Sequence, residues 1–274
     1  MSAPEPVEVA GFRGLVARGG NGERPPVVLV HSAFADHLPY ENYLRLFSDA
    51  GFDCYAISRR GRAGRPSSVI DGVRVADYCD DVFAVLEEIG GDPIVVGHSL
   101  GGVIGQKVAE AERCRMLVLL AAAPPWALVS GAHATLALYS RMPAIVLGRP
   151  FMISEAGASR LLLNAMPASD RPNVYRRFPR ESGAAFRELL TGRVRVDAAK
   201  VRCPVLYVRG DADRVISERV ARRIAESYGG EYVEYAGHGH WLAEEPGWER
   251  PADRELDRGT AVNAADPTKG AEDR

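Results

Sequence analysis

The sequence predicts an α/β protein whose mostly parallel, doubly wound sheet is covered by helices on both faces. Short runs that are apolar throughout, such as Val27–Val30, Cys54–Ile57 and Met116–Leu120, are typical of strands buried on both sides. Amphipathic segments separate these runs, and Val75–Ile89 is the clearest helix among them. One long interval, residues 124–200, has no strand-like run and predicts a helical insertion between two core strands.

Composition restricts the class of protein before any motif is considered. The chain has 274 residues, 46% of them apolar and 26% charged, which is ordinary for a soluble globular protein. A formal net charge of −2 provides no long-range attraction for nucleic acid or for an anionic membrane. We therefore expect a small-molecule substrate and neither nucleic acid nor membrane as a partner, while nothing indicates the oligomeric state.

The sequence contains no pattern that indicates targeting, metal binding or disulfide bonds. The first six residues lack a basic region followed by an apolar one, and no apolar run is long enough to cross a bilayer. A cytoplasmic protein is therefore expected. The four cysteines are far apart and have no C-x-x-C spacing, so we expect no metal, no cofactor and no disulfide framework, and we interpret the cysteines as buried apolar residues.

The amino-terminal part predicts an edge hairpin followed by alternating strands and helices. From Val7 to Ala17, apolar and polar residues partly alternate around Gly11 and Gly14, which is typical of a hairpin at the edge of a sheet. Apolar residues at helical spacing predict a helix from Leu38 to Ala50. The stretch from Ser58 to Ser68 is rich in arginine and glycine and is expected to be a loop.

The carboxyl-terminal part is predicted to add two more strands to the sheet. A strand is predicted over Val205–Val208, a helix from Val215 to Tyr228, and a last strand over Tyr232–Tyr235. The core is thus assigned to residues 1–123 and 201–258. Residues 259–274 are small, polar and charged, and we expect a disordered tail there.

The insertion at residues 124–200 is too long for a loop of a compact domain, which favours a helical subdomain. Its helical pieces are predicted at Ala127–Tyr139, Glu155–Met166 and Gly183–Leu190. A segment inserted after a core strand emerges at the carboxyl edge of the sheet, where open α/β sheets bind their ligands. The insertion is therefore expected to act as a cap, or lid, over that edge.

The sequence around Ser99 combines an apolar β-branched run, the pattern G-x-S-x-G and a segment of helix-like composition. This order predicts a strand, a sharp turn and a helix, with Ser99 at the apex. Side chains at Gly97 and Gly101 would collide with the crossing strand and helix, which explains both glycines. At a helix N-terminus the Ser99 hydroxyl is favourably placed to act as a nucleophile in acyl transfer.

A serine nucleophile needs a base, and the base needs an orienting carboxylate. The loop after the Val205–Val208 strand offers Asp211 and Asp213, and the loop after the last strand offers His238 and His240. Both loops leave the sheet at the same edge as Ser99. The residues alone leave two candidates for each role, although His238, as a turn histidine, is expected to be solvated.

Taken together, G-H-S-L-G-G at 97–102, G-x-x-D at 210–213 and G-H-W followed by E-E-P at 239–246 resemble the α/β-hydrolase family in order and spacing. The resemblance covers roughly residues 27–248, with the insertion matching only in position and helical character. It implies the α/β-hydrolase fold, with Ser99 as nucleophile, Asp213 as acid and His240 as base.

The resemblance also implies an oxyanion hole made of backbone N–H groups. One donor is Leu100, directly after the nucleophile, and the other comes from the loop that begins at His31. The family usually has H-G there, whereas this chain has His31–Ser32. By position the second donor is Ala33, with Phe34 as the alternative, and His31 is expected to brace the loop.

Two further features have competing interpretations. Arg59, Arg60, Arg62 and Arg65 could form a basic rim for an acidic substrate or a phosphopantetheine carrier, but a solvated loop with one structural ion pair is favoured. The insertion is rich in apolar residues, of which some are expected to line a pocket and most to pack in a core. These residues are Trp126, Leu136, Leu138, Tyr139, Met142, Phe151, Met152, Leu161, Leu162 and Met166.

The leading hypothesis is a cofactor-independent serine hydrolase that cleaves a carboxylic ester, lactone or thioester through an acyl-enzyme. Family members with an aspartate nucleophile carry out haloalkane or epoxide chemistry, which the serine at position 99 disfavours. The same fold also supports proteins that carry the three residues without hydrolysing a substrate. A biosynthetic lyase or cyclase, or a ligand-binding receptor, is therefore the alternative.

Overall fold

The computed structural model of the chain describes residues 3–20, 22–128 and 137–264. Eight strands form one sheet: β1 (Glu5–Val9), β2 (Phe12–Ala17), β3 (Val27–Val30), β4 (Cys54–Ile57), β5 (Ile94–His98), β6 (Met116–Leu120), β7 (Val205–Gly210) and β8 (Glu231–Tyr235). The described helices are α1 (Glu41–Asp49), α2 (Val75–Ile89), α3 (Leu100–Glu110), α4 (Met142–Val146), α5 (Glu155–Leu161), α6 (Arg171–Arg176), α7 (Gly183–Thr191), α8 (Glu218–Ser227) and α9 (Glu249–Ala264).

The strand order is β1-β2-β4-β3-β5-β6-β7-β8. β1 and β2 form the predicted edge hairpin, and β2 also pairs antiparallel with β4, whereas all other neighbours are parallel. The fold class predicted from the sequence is therefore confirmed. After β3 the chain adds β4 on one side of it, and from β5 onward it adds strands on the other side. The connections that follow the adjacent strands β3 and β5 therefore lead in opposite directions across the sheet, and their loops open a crevice at the carboxyl edge.

Alternation along the buried strands distributes their side chains between two apolar clusters, one on each face of the sheet. On one face Val95 and Leu117 pack with residues of α2, α3 and α8. On the opposite face Val96 and Val118 pack with residues of α1 and α9. Because both faces are covered, these strands are apolar without interruption, as the sequence pattern indicated.

Between β6 and β7 the described residues form the short helices α4 to α7, a 3₁₀ turn at Ala198–Lys200 and one isolated bridge between Phe151 and Glu181. Two predicted helical pieces correspond to α5 and α7. Of the third predicted piece, Ala127–Tyr139, residues 129–136 lie outside the described part of the chain.

One boundary prediction was wrong. The expected disordered tail began at residue 259, but α9 continues to Ala264, and residues 265–274 of that tail lie outside the described residues. The face of α9 that packs on the core includes Ala252 and Glu255, which are 0% and 2% exposed. A small residue and a carboxylate do not produce an apolar stripe, so the sequence pattern did not reveal this helix.

Candidate active site

Ser99 lies at the junction of β5 and α3 in the backbone conformation expected of a sharp, strained turn. Its φ is 52° and its ψ is −111°, a region that residues other than glycine rarely adopt. A Cβ at Gly97 would lie 2.5 Å from the carbonyl oxygen of Gly101, and one at Gly101 would lie 2.1 Å from that of Val30. Neither position can hold a side chain, so both glycines are required for this close crossing of strand and helix.

A chain of hydrogen bonds joins the three residues that the sequence singled out. Ser99 Oγ lies 3.0 Å from His240 Nε2, and His240 Nδ1 lies 3.0 Å from Asp213 Oδ2. Asp213 and His240 are 7% and 1% exposed, so water is largely excluded from their contact. The carboxylate orients the ring and leaves Nε2 facing the hydroxyl, which is the arrangement needed for removing the Ser99 proton.

The loop after β7 holds Asp213 in place through its second carboxylate oxygen. Oδ1 accepts hydrogen bonds from the backbone N–H groups of Val215 (2.7 Å) and Ile216 (3.0 Å). The buried guanidinium of Arg209 donates to the carbonyl oxygens of Ile216 (2.9 Å) and Asp213 (3.3 Å). Oδ2 is therefore the oxygen left for the histidine.

The two neighbouring candidates have other partners. Asp211 is exposed, and its Oδ1 accepts a hydrogen bond of 2.8 Å from the N–H of Gly237. His238 is only 4% exposed, and its Nδ1 lies 3.3 Å from Glu245 Oε2. The expectation of a solvated His238 was therefore wrong, because that side chain is enclosed beside a buried carboxylate.

His98, the residue before Ser99, packs behind His240 and was not singled out from the sequence. Its Nε2 lies 2.8 Å from the carbonyl oxygen of His240, and its Nδ1 lies 3.2 Å from the Tyr40 hydroxyl. Burial foremost, together with the nearby His240, lowers the pKa of His98 to about 3. The ring is therefore neutral near pH 7, donates from Nε2 to the His240 carbonyl and adds no positive charge behind His240.

Glu245 was missed as well, although E-E-P after the histidine was visible in the sequence. Its carboxylate accepts hydrogen bonds from the N–H groups of Gly239 (2.7 Å) and Trp241 (3.1 Å), the residues on either side of His240. Glu245 is 1% exposed. This carboxylate therefore fixes the backbone of the turn that carries His240.

The loop after β3 lies beside Ser99, at the crevice between β3 and β5. Ser32 is not among the residues with positive φ; that conformation occurs at Phe34, whose φ is 57°. The glycine usual at position 32 is thus not needed here for a left-handed backbone. Within the described chain, no acceptor is hydrogen-bonded to the N–H of Ala33 or Leu100, and both residues border the same cavity as Ser99.

Two of the four arginines are not solvated as the sequence favoured, whereas Arg65 is exposed. Arg59 and Arg62 are 3% and 2% exposed. Arg60 pairs with Asp81 at 2.5 Å, which matches the expected structural ion pair, but Arg62 also pairs with the fully buried Glu181 at 2.6 Å. Burial alone would raise the pKa of Glu181, but Arg62 and Arg59 outweigh it and lower that pKa, so the carboxylate is ionised.

A cavity of about 60 Å³ opens at Ser99 and is almost entirely apolar. Described residues on its inserted-helix side are Leu128, Leu138, Ile153, Leu161, Leu162, Phe186 and Leu189. Three of the apolar residues noted in the sequence thus line it: Leu138, Leu161 and Leu162. Phe151 and Met166 are core residues, Tyr139 is 74% exposed, and Leu136 lies outside the described residues.

Residues 3–20, 22–128 and 137–264 hold no group of three or more histidine, cysteine, aspartate or glutamate side chains arranged to bind a metal ion. Within the same ranges, no helix combines the length and the apolar character that crossing a membrane requires.

The fold and the Ser99 turn define an α/β-hydrolase architecture, and the family comparison agrees. The model of the alpha/beta hydrolase family matches residues 27–254, and the chain belongs to this family. The structure is similar to a thermophilic esterase from Thermogutta terrifontis, with a TM-score of 0.72, 18% identity and coverage of 94% of this chain and 99% of that one. At this identity the similarity shows a shared fold.

Two curated relatives match parts of the chain. A probable alcohol acetyltransferase from Saccharomyces cerevisiae is 30% identical over 118 residues, which are 41% of this chain and 34% of that protein. The non-heme chloroperoxidase CPO-A1 of Kitasatospora aureofaciens is 32% identical over 108 residues, 38% of this chain and 39% of that protein. The chain therefore spans between about a third and two fifths of the length of these relatives.

Proposed function

We propose that the protein is a serine hydrolase that cleaves a carboxylic ester, lactone or thioester of a small, largely apolar substrate through an acyl-enzyme. The observation that carries this proposal is the chain of two 3.0 Å contacts from Ser99 Oγ through His240 to Asp213 at the wall of an apolar cavity. Hydrolase function in other members of the family, and the esterase of similar fold, support it.

In this mechanism His240 Nε2 takes the proton of Ser99 Oγ as the oxygen attacks the acyl carbon. The backbone N–H groups of Ala33 and Leu100 stabilise the negative charge on the tetrahedral intermediate. His240 then protonates the leaving group and later activates the water that releases the acid. Asp213 keeps the imidazolium oriented and compensates its charge, and no cofactor is required.

The inserted helices are proposed to act as a cap that binds the apolar part of the substrate and excludes water. The cavity they share with the core has room for roughly four to six water-sized groups. Among the described lining residues, side-chain hydrogen-bonding groups come only from Ser32, Ser99, His240 and Trp241. A short uncharged acyl group fits this size and polarity, which supports a small substrate.

The test combines covalent labelling with turnover. A fluorophosphonate is expected to modify Ser99, located by tandem mass spectrometry, and p-nitrophenyl acetate and butyrate are expected to be hydrolysed faster than the octanoate. Ser99→Ala should abolish labelling and lower kcat/KM at least about 10³-fold, while its circular dichroism spectrum stays that of the wild type. Ligand binding without labelling or ester turnover would instead favour the non-hydrolytic alternative.

A further inference from the structure

We propose that Arg59 is a positioning residue of the oxyanion hole. Its guanidinium holds the carbonyl group of Ser32 so that the N–H of the same peptide unit, which belongs to Ala33, faces the developing oxyanion. This inference rests on the proposed function, because it concerns the same acyl-transfer site.

The contacts of Arg59 converge on the loop after β3. Its Nη2 donates hydrogen bonds to the carbonyl oxygens of His31 and Ser32, each at 3.1 Å, and also lies 3.1 Å from His31 Nδ1. The backbone N–H of Arg59 donates to His31 Nε2 at 3.2 Å, which leaves the ring proton on Nδ1. Nδ1 in turn donates to the Ser32 carbonyl oxygen at 2.9 Å. That oxygen therefore accepts two hydrogen bonds, one from a neutral ring and one from a cation.

The neutral state of His31 follows from its surroundings. Its ring is fully buried, and burial, followed by the charges of Arg59 and Arg62, lowers the pKa of His31 well below its usual value. One ring nitrogen therefore accepts a hydrogen bond while the other donates. His31 and Arg59 act together on the same carbonyl group.

Peptide geometry carries this effect to Ala33. The described backbone has no cis peptide bonds, and in a trans peptide unit the C=O and the N–H point in opposite directions. The Ser32 carbonyl faces the buried Arg59 and His31, so the N–H of Ala33 points to the other side, where Ser32, Ala33 and Ser99 border the cavity. A charged donor on the carbonyl also polarises the peptide unit and makes its N–H a stronger donor.

Arg59 differs from its neighbours in forming no direct ion pair within the described residues, although the charge of Glu181 acts on it from beyond ion-pair distance. Arg60 and Arg62 form ion pairs with Asp81 and Glu181, whereas no carboxylate of the described residues lies within ion-pair distance of Arg59. Its Nε and Nη1 have no hydrogen-bond partner in the structure, and its guanidinium lies over the Tyr78 ring at 4.4 Å. The hydrogen bonds that its side chain makes are therefore those to the loop that carries the proposed oxyanion donor.

The test compares Arg59→Met with Arg59→Lys and with the control Arg60→Met, which lies in the same loop and whose side chain donates its hydrogen bonds to Asp81. Removing a whole oxyanion donor lowers kcat about 10²–10³-fold, so misaligning one is expected to lower kcat about tenfold with KM within about twofold. Arg59→Lys retains a charged donor and should recover part of this loss. Arg60→Met should lower the melting temperature but keep kcat within about twofold.

The inhibition constant of a trifluoromethyl ketone is a measurement that a merely structural role of Arg59 would not change. The ketone forms a tetrahedral adduct with Ser99 whose oxyanion occupies the same hole, so its inhibition constant should rise in Arg59→Met by the factor by which kcat/KM falls. Wild-type kcat and ketone affinity in Arg59→Met would overturn the inference, as would an equal loss of kcat in Arg60→Met. If Arg59→Met does not fold, Arg59→Gln, which removes the charge and shortens the side chain, replaces it, and an unchanged kcat and ketone affinity in Arg59→Gln overturn the inference.

The two proposals fail differently. A wild-type protein that is neither labelled by a fluorophosphonate nor active on esters contradicts the hydrolase. Normal wild-type hydrolysis together with unaffected catalysis by Arg59→Met contradicts only the role of Arg59.

Discussion

Two histidine–carboxylate pairs lie next to each other beyond β8, and only one of them reaches a serine. His240 contacts Asp213 at 3.0 Å, and His238 contacts Glu245 at 3.3 Å. Both rings are buried, with 1% and 4% of their surface exposed. Burial beside a carboxylate therefore does not by itself distinguish a reactive histidine from a structural one.

The origin of the carboxylate separates the two pairs. Asp213 reaches His240 from the loop after β7, whereas Glu245 belongs to the same chain segment as His238 and bonds the N–H groups of Gly239 and Trp241. The backbone of His238 is also tied to the acid loop, because its carbonyl accepts the N–H of Ala212 at 2.9 Å. One pair thus contacts the proposed nucleophile Ser99, whereas the backbone around the other pair is bonded to the loop that carries Asp213.

Replacing each histidine by alanine gives the largest expected contrast. His240→Ala should lower kcat/KM for a p-nitrophenyl ester at least about 10³-fold, because no other side chain takes the Ser99 proton. His238→Ala should lower it less than about tenfold. Steady-state kinetics on variants shown to be folded by circular dichroism make the comparison, and similar losses in both would remove the distinction between the pairs.

Replacing each aspartate by asparagine tests the other half of the assignment. Asp213→Asn should lower kcat by about 10⁴-fold, because the amide favours the wrong histidine tautomer while keeping the side chain in place. Asp211→Asn should change kcat by less than about threefold, since its partner is the N–H of Gly237. A large loss in Asp211→Asn would move the acid role away from Asp213.

Glu245→Gln is expected to have an intermediate effect. The amide keeps one acceptor oxygen but presents an NH₂ group to the second backbone N–H, so the turn carrying His240 loses a hydrogen bond and gains a repulsion. We expect kcat to fall about tenfold and the melting temperature to drop. Unchanged thermal unfolding would show that the second pair does not hold the turn.

Glu255, unlike Asp213 and Glu245, is a buried carboxylate with neither a cationic nor a histidine partner among the described residues. Burial raises its pKa well above the usual value; one oxygen accepts a hydrogen bond from the Tyr43 hydroxyl, and the other has no partner. Glu255 is therefore protonated in the folded chain over a pH range in which the unfolded chain ionises it. Its contribution to stability is complete below the unfolded pKa, near 4.3, and is lost as pH rises toward the folded pKa.

Glu255→Gln, which cannot ionise, should therefore melt at a higher temperature than the wild type at pH 8, by roughly 2–4 °C for about 1 kcal/mol. At pH 4.5 the two proteins should melt at similar temperatures. Differential scanning calorimetry at both pH values checks the sign, and a difference that does not grow with pH would contradict the protonated state of Glu255.

The amino-acid sequence alone was enough to predict the fold class and the turn at Ser99. Uninterrupted apolar runs predict strands covered on both faces, and the glycines at 97 and 101 allow the close crossing seen in the structure. The choice of Asp213 and His240 came from the spacing of family motifs, since the residues alone left Asp211 and His238 open. Each of these features depends on residues that are close together in the chain, which is why the sequence was enough to predict them.

The contacts between residues far apart in the chain could be identified only in the folded protein. His98 lies behind His240, Arg59 bonds a loop 28 residues earlier, and Arg62 pairs with Glu181, 119 residues further along. The sequence favoured solvated arginines and a solvated His238 because charged and polar residues are usually exposed. These side chains are buried because the strand order brings their partners next to them. The strand order cannot be predicted from periodicity along the chain.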